Sequence, residues 1–161
     1  VYVRPGTFVV FDRVATTRPE LTKTWLLQAL QRPETRDSQL VITNGKGRLF
    51  VQPLLPRRRQ VALQCGDDLY RYDGQAFPPE RDTGPAPVCR VEISPVDPSE
   101  VALFLHVLTA VDADVESVPL ATCEEDAESV DVRVADVSIS FPKQHVGGTI
   151  EIQGTRRKLD E

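Results

Sequence analysis

The chain has 161 residues, enough for one domain with a real core and too few for two comfortable ones. With 40% hydrophobic and 27% charged residues it has a globular composition, which excludes a disordered or fibrous chain. The acids outnumber the bases, 24 to 19, for a formal charge of −5, which argues against a nucleic-acid binder because phosphate neutralisation needs a basic face. No run approaches the roughly 18 apolar residues that would cross a bilayer, so no membrane partner is expected. Val1–Arg13 lacks the pattern of a signal peptide, and no Met occurs anywhere. The expectation is therefore a processed chain, or a piece of something longer with any targeting segment upstream.

Strand signals dominate. Val occurs 21 times, and the 13 prolines fall mostly between apolar stretches. Phe8-Val9-Val10-Phe11 continues through Asp12-Arg13-Val14 as a first strand, too β-branched for a helix. Lys23-Thr24-Trp25-Leu26-Leu27 fits either period and stops by Pro33. Leu40–Thr43 and Arg48–Val51 flank Asn44-Gly45-Lys46-Gly47, the strongest hairpin signal, since Asn-Gly tolerates positive φ. Val61–Gln64 and Leu69–Tyr72 read as a second hairpin through Gly66-Asp67-Asp68. Residues 74–88 form the one long loop, rich in Pro, Gly and charge. Arg90–Ser94 alternates and ends at Pro95, while Val101–Leu108 is apolar on both faces, as befits a strand covered on both sides. Val130, Val132 and Val134, then Val137, Ile139 and Phe141, mark two strands with one dry and one wet face. Gly147-Gly148 turns the chain into Thr149–Ile152. About ten short strands and no amphipathic helix predict an all-β antiparallel β-sandwich over residues 1–154, with a polar tail at 155–161.

Cys65, Cys89 and Cys123 show no CxxC spacing; at most one disulfide can form, and unpaired buried thiols are the default reading. Asp112, Asp114, Glu116 and Glu124-Glu125-Asp126 form an acidic stretch that could hold calcium, but without a DxDxDG arrangement it reads as a solvated loop. Two well-separated histidines, His106 and His145, do not supply a zinc site, so no cofactor is expected.

Five segments carry a resemblance. Phe8–Val14, Lys23–Leu27, Asn44–Leu49 with Gln52-Pro53-Leu54-Leu55-Pro56, Arg90–Pro95 and Phe104–Leu108 occur in this order. Together they resemble the C-terminal β-sandwich region of heparinase II/III-like polysaccharide lyases, over about residues 1–153. The resemblance implies a longer, periplasmic or extracellular enzyme whose upstream α/α-toroid domain cleaves acidic, uronate-containing polysaccharides by β-elimination. That reaction needs a neutraliser for the uronate carboxylate, a base for the C5 proton and an acid for the leaving oxygen. The resemblance places these groups mostly on the toroid, so no catalytic residue is expected in this chain. Some relatives hold a structural zinc in the sandwich. Where the family pattern often carries His after Trp-Leu-Leu, this chain has Gln28, a poor zinc ligand and no base near neutral pH. The other reading left open is a stand-alone carbohydrate-binding or structural module.

Candidate residues follow from side-chain chemistry. Trp25, Tyr70 and Tyr72 are natural sugar-stacking groups, with Trp25 also suited to the core and the tyrosines the better exposed pair. Two basic runs, Arg57-Arg58-Arg59 and Arg156-Arg157-Lys158, read as solvated loop or tail and are also able to steer an acidic polymer. Four polar residues read as structural or interdomain. Asp12, on the face of Phe8 and Val10, calls for a partner such as Arg90 or Arg13. Arg90 and Glu92 share a face and suit charge pairing, Gln28 can keep a hydrogen-bonding role, and His106, beside Phe104 and Leu108, reads as a core histidine with satisfied ring nitrogens.

Overall fold

The computed structural model describes residues 1–81 and 84–159. The all-β, antiparallel expectation holds: there are sixteen strands among the described residues, some only two residues long, and no α-helix. The central layer is a six-stranded sheet of order β1-β2-β11-β6-β5-β4, formed by Tyr2–Val3, Thr7–Ala15, Val101–Asp112, Gly47–Leu55, Gln39–Asn44 and Glu34–Arg36. A three-stranded sheet, β3 (Trp25–Ala29), β10 (Cys89–Pro95) and β7 (Arg59–Cys65), lies on one face. A five-stranded sheet lies on the other, running in order through β12 (Thr122–Glu125), β13 (Ser129–Val134), β14 (Val137–Pro142), β15 (Thr149–Ile152) and β16 (Thr155–Lys158). Three layers, rather than the usual two of a sandwich, explain why β11 is apolar on both faces.

Alternation builds each interface. Leu105 and Val107 of β11 and Val9 of β2 meet Val130, Val132, Val134, Val137, Ile139 and Phe141 of the five-stranded sheet. On the opposite face Leu40, Val51 and Leu108 meet Val91 and Ile93 of β10, with Trp25, Leu27 and Leu63 around them. Register slips once, between Leu105 and His106, where Leu105 faces Leu55 and His106 faces Pro53. The extra residue, Leu54, packs with Leu55 against the five-stranded side, and Pro53, which has no N–H to give a ladder, sits beside the break.

Three expectations change. The second hairpin does not form: β7 pairs with β10, Cys65 opposite Cys89, and the two cysteines are bonded as a disulfide. Tyr72 belongs instead to a two-residue ribbon, β8 (Arg71–Tyr72) with β9 (Gln75–Ala76), turned by Asp73 and Gly74 with φ of 48° and 77°. That Asp-Gly pair is itself a tight-turn signal, and here it outweighs the Gly-Asp-Asp segment, which forms a single 3-10 turn, Gly66–Asp68. Thr155–Lys158, expected as tail, completes the five-stranded sheet as β16 beside β15, with Gln153-Gly154 in the turn. The described part of residues 74–88 beyond β9 is loop, as expected; Asp82 and Thr83 lie outside the described residues.

Candidate functional site

The resembling segments converge. Phe8–Val14 lies in β2, Phe104–Leu108 in β11 and Gly47–Leu55 in β6, three neighbouring strands in which His106 faces Val10 on one side and Pro53 on the other. Trp25–Leu27 in β3 and Arg90–Pro95 in β10 are paired in the three-stranded sheet directly above.

His106 is the centre of this convergence. Its side chain is wholly buried, its ring 4.0 Å from that of Trp25 and 6.2 Å from that of Phe104. Neither ring nitrogen has a hydrogen-bond partner, a correction to the expected satisfied core histidine: its cross-strand neighbours are the apolar Val10 and Pro53 and its ring is stacked on Trp25. Burial, reinforced by the nearby Arg59 guanidinium, pushes its pKa down to about 3, so the imidazole is neutral. Arg59 is itself half-buried and donates to the Pro56 carbonyl at 3.0 Å. Trp25 is half-buried and committed to this stack.

The polar residues beside it also find other partners than expected. Arg13 donates to the Pro142 carbonyl, 2.8 Å from Nε, and lies over the Phe11 ring. Arg90 pairs with Glu92 at 2.7 Å and donates to the Leu69 carbonyl. Asp12 therefore takes part in no ion pair among the described residues. Gln28 points outward from β3, opposite Arg90.

The proposed sugar contacts are not brought together. Arg57 and Arg58 precede β7, whereas Tyr70 and Tyr72 follow its far end, so roughly 20 Å of strand separates them. Arg58 is tied to Asp97 by both carboxylate oxygens, at 2.7 and 3.0 Å, and Arg57 donates to the Cys123 carbonyl. Tyr72 is exposed and Tyr70 half-buried.

A second surface escaped the sequence reading. The outer face of the five-stranded sheet forms an open trough of about 430 Å³. Register places Thr122, Arg133, Ser138, Glu151 and Arg156 in one row across all five strands. Glu124, Asp131, Ser140, Thr149 and Lys158 make a second, parallel row. The alternating polar residues of residues 131–133, 138–140 and 149–151 were its visible signal. The fifth strand was hidden by reading Arg156 and Lys158 as tail.

No family model matches the chain, and no curated protein matches it either. The buried His106 centre excludes solvent and a polymer, which makes it a structural joint between layers. The trough is solvent-facing, carries donors and acceptors of both charges, and can hydrogen-bond a polar ligand. No cluster of His, Cys, Asp and Glu suited to a metal ion occurs among the described residues.

Proposed function

We propose that this chain is the β-sandwich part of a heparinase II/III-like polysaccharide lyase, supporting an α/α-toroid catalytic domain of the same polypeptide that acts on uronate-containing polysaccharides. The observation that carries this reading is the convergence of the resembling segments. Scattered over about a hundred residues of sequence, they fold into two adjacent layers around one buried contact, Trp25 on His106.

Two further features support it. The β1–β2 end of the central sheet is not covered by the three-stranded layer, leaving Tyr2 51% and Phe8 49% exposed and stacked on each other at 4.9 Å, with Val14 and Asp12 on the same face. An open aromatic patch containing an unpaired carboxylate suits contact with another domain. The Cys65–Cys89 disulfide suits a periplasmic or extracellular protein.

Proton abstraction and leaving-group protonation are assigned to the toroid. His106, neutral and wholly buried, has no path to a sugar C5 proton. The test has two parts. The coding sequence 5′ of the Val1 codon is expected to specify a helical domain, and the full-length enzyme to release unsaturated uronate from an acidic polysaccharide, read by ultraviolet absorbance. The 161-residue chain alone is expected to release none. Turnover by the chain alone, or an unrelated upstream sequence, would overturn the proposal.

A further inference from the structure

We infer that the groove along the free edge of β3 is a docking site for an extended peptide segment of another protein, which joins the three-stranded sheet as a fourth strand. The inference does not rest on the lyase reading.

The edge is open and unprotected. β3 has β10 on one side and, among the described residues, no strand on the other. The Val88 amide, just before β10, donates to the Ala29 carbonyl at 2.8 Å, so alternation turns the backbone groups of Leu26 and Gln28 to the open side. From Thr24 to Gln31 there is neither a charge nor a proline, and Leu26 is 53% exposed. The other sheet edges among the described residues are blunted. Thr155–Lys158 in β16 is basic, β4 carries Glu34 and Arg36, and β7 opens with Arg59. β12 carries Glu124 and Glu125, and Arg57 occupies its Cys123 carbonyl. Strand edges left exposed and uncharged are templates for another strand, and proteins ordinarily block them.

A groove runs beneath this edge. A hollow of about 390 Å³ is lined by Gln28, Ala29 and Leu30 and by residues of β5, β6 and β11. No residue of β10 lines it, which puts it on the open side of β3. Its floor is Ile42, Leu49 and Ala110, opposite one another in register and therefore in one row across three strands. β3 runs in the same direction as this row. Trp25, at its start, stacks on His106 of β11, whereas Ala29, at its end, packs with Ile42 of β5 and Leu49 of β6. A strand bonded to Leu26 and Gln28 can thus lay every second side chain on the row. Main-chain bonds would hold it and the apolar floor would select those side chains, which is how strand addition divides affinity from specificity.

The same step in the surface decides between occupants. The floor and the β5–β6 turn extend past the edge of β3 as a ledge. A second copy pairing its own β3 here would bring its own ledge, and the two ledges would meet before the strands did. A single segment with nothing beneath it fits. Arg48 is the one charged residue of the lining. Its guanidinium donates to two neutral oxygens, the Thr43 hydroxyl at 3.1 Å and the Val115 carbonyl at 2.6 Å, and forms no ion pair among the described residues. The segment that fits is therefore apolar at alternate positions, with a carboxylate at the end lying by Arg48.

Fluorescence anisotropy of labelled seven-residue peptides with the intact chain tests the site. In the set, Val, Leu or Tyr alternates with Thr and the last residue is Glu. At least one should bind saturably below about 1 mM, and methylation of its alternate backbone nitrogens should abolish binding. Gln28→Pro removes an amide that faces the open side and no bond to β10; it should weaken binding about fivefold or more with unchanged circular dichroism. Arg48→Glu should weaken the Glu-ended peptide and strengthen its Lys-ended counterpart. Tyr72→Ala, remote from β3, should change nothing. Lack of saturable binding by every peptide, equal binding of the methylated one, or indifference to both Gln28→Pro and Arg48→Glu would overturn the proposal. So would a dimer of the chain that Gln28→Pro dissolves, because the occupant would then be a second copy. None of these readouts involves polysaccharide cleavage, so this site and the lyase reading stand or fall separately.

Discussion

The two faces of the central sheet are closed in different ways. Towards the five-stranded side the contact is wide and mainly apolar: β-branched and aromatic side chains from both sheets interdigitate, Val130, Leu105 and Ile139 are essentially inaccessible to water, and the few polar groups there are paired, Arg13 with the Pro142 carbonyl and Gln52 with the Ala121 backbone. Towards the three-stranded sheet the apolar cluster is smaller, with Val51, Val91 and Ile93 at its centre, and it is supplemented by a disulfide and a buried imidazole. The first interface is secured by packing, whereas the second packs against a sheet whose own strands β7 and β10 are joined by the Cys65–Cys89 bond, and contains a polar group whose state depends on pH. Disturbing each in turn should therefore give different signatures.

The largest effect is expected on the wide face. Leu105→Ala removes a fully buried side chain from the middle of β11 and leaves a cavity between two sheets, at a cost of about 2–5 kcal/mol. Chemical denaturation should show a lowered midpoint, unaffected by reductant and of similar size at pH 7 and pH 5. A loss below about 1 kcal/mol would mean that the two sheets collapse onto the gap, and so that this interface is looser than the packing indicates.

On the narrower face the disulfide should matter nearly as much. The bond closes a loop with a sequence separation of 24 between Cys65 and Cys89. A loop of that length restricts the unfolded chain by about 3 kcal/mol. Cys65→Ala with Cys89→Ala, or reduction of the wild type, should lower the denaturation midpoint by that order. Added reductant should leave the double variant unchanged. If reductant destabilised the double variant equally, the bond would not be the source of the effect.

Much of this contrast was written in the sequence, and some of it could not be. Alternation at Val130–Val134 and Val137–Phe141 marks a sheet with one dry face, and the Asn44–Gly47 turn marks β5 and β6, because both signals are local. The double-sided apolarity of Val101–Leu108 pointed to cover on both faces, yet which strands provide it is a matter of long-range pairing. β7 and β10 lie more than twenty residues apart in the chain, and their register follows from Leu63, Val91 and Ile93 facing the same core. The candidate residues fared unevenly for the same reason. Arg90 with Glu92 is a local i,i+2 pair on one strand and was legible; the surroundings of His106 are assembled from several strands and were not. The trough needs all five strands in register, so no single segment of the sequence displays it.

The smallest effect near neutral pH, and the one that grows as acid is added, belongs to His106. β2 places Asp12 on the same face, diagonal to it, and β7 contributes Arg59. Lys23, just before β3, is buried and spends its ammonium on the Leu21 and Ser99 carbonyls. β6 and β10 turn only Val51, Pro53, Val91 and Ile93 this way, and β11 itself adds Phe104 and Leu108. An imidazolium here would lose its hydration, gain no acceptor and face the Arg59 cation, which is why its pKa falls to about 3 in the folded protein from 6.5 in the unfolded chain. Because the folded value is the lower one, the contribution is complete above pH 6.5 and is lost as the pH falls towards 3. The slope in that window is about 1.4 kcal/mol per pH unit, so roughly 2 kcal/mol has gone by pH 5. Carboxylates also titrate in acid, so the measurement is the difference between wild type and His106→Leu, in which their contributions cancel. Stability of the wild type relative to the variant should fall steadily from pH 7 to pH 5. Trp25, the single tryptophan, stacks on the ring and reports the loosening of this layer through its fluorescence. A flat difference over that range would show that His106 is either solvated or already paired when folded, and the narrow interface would then be as indifferent to pH as the wide one.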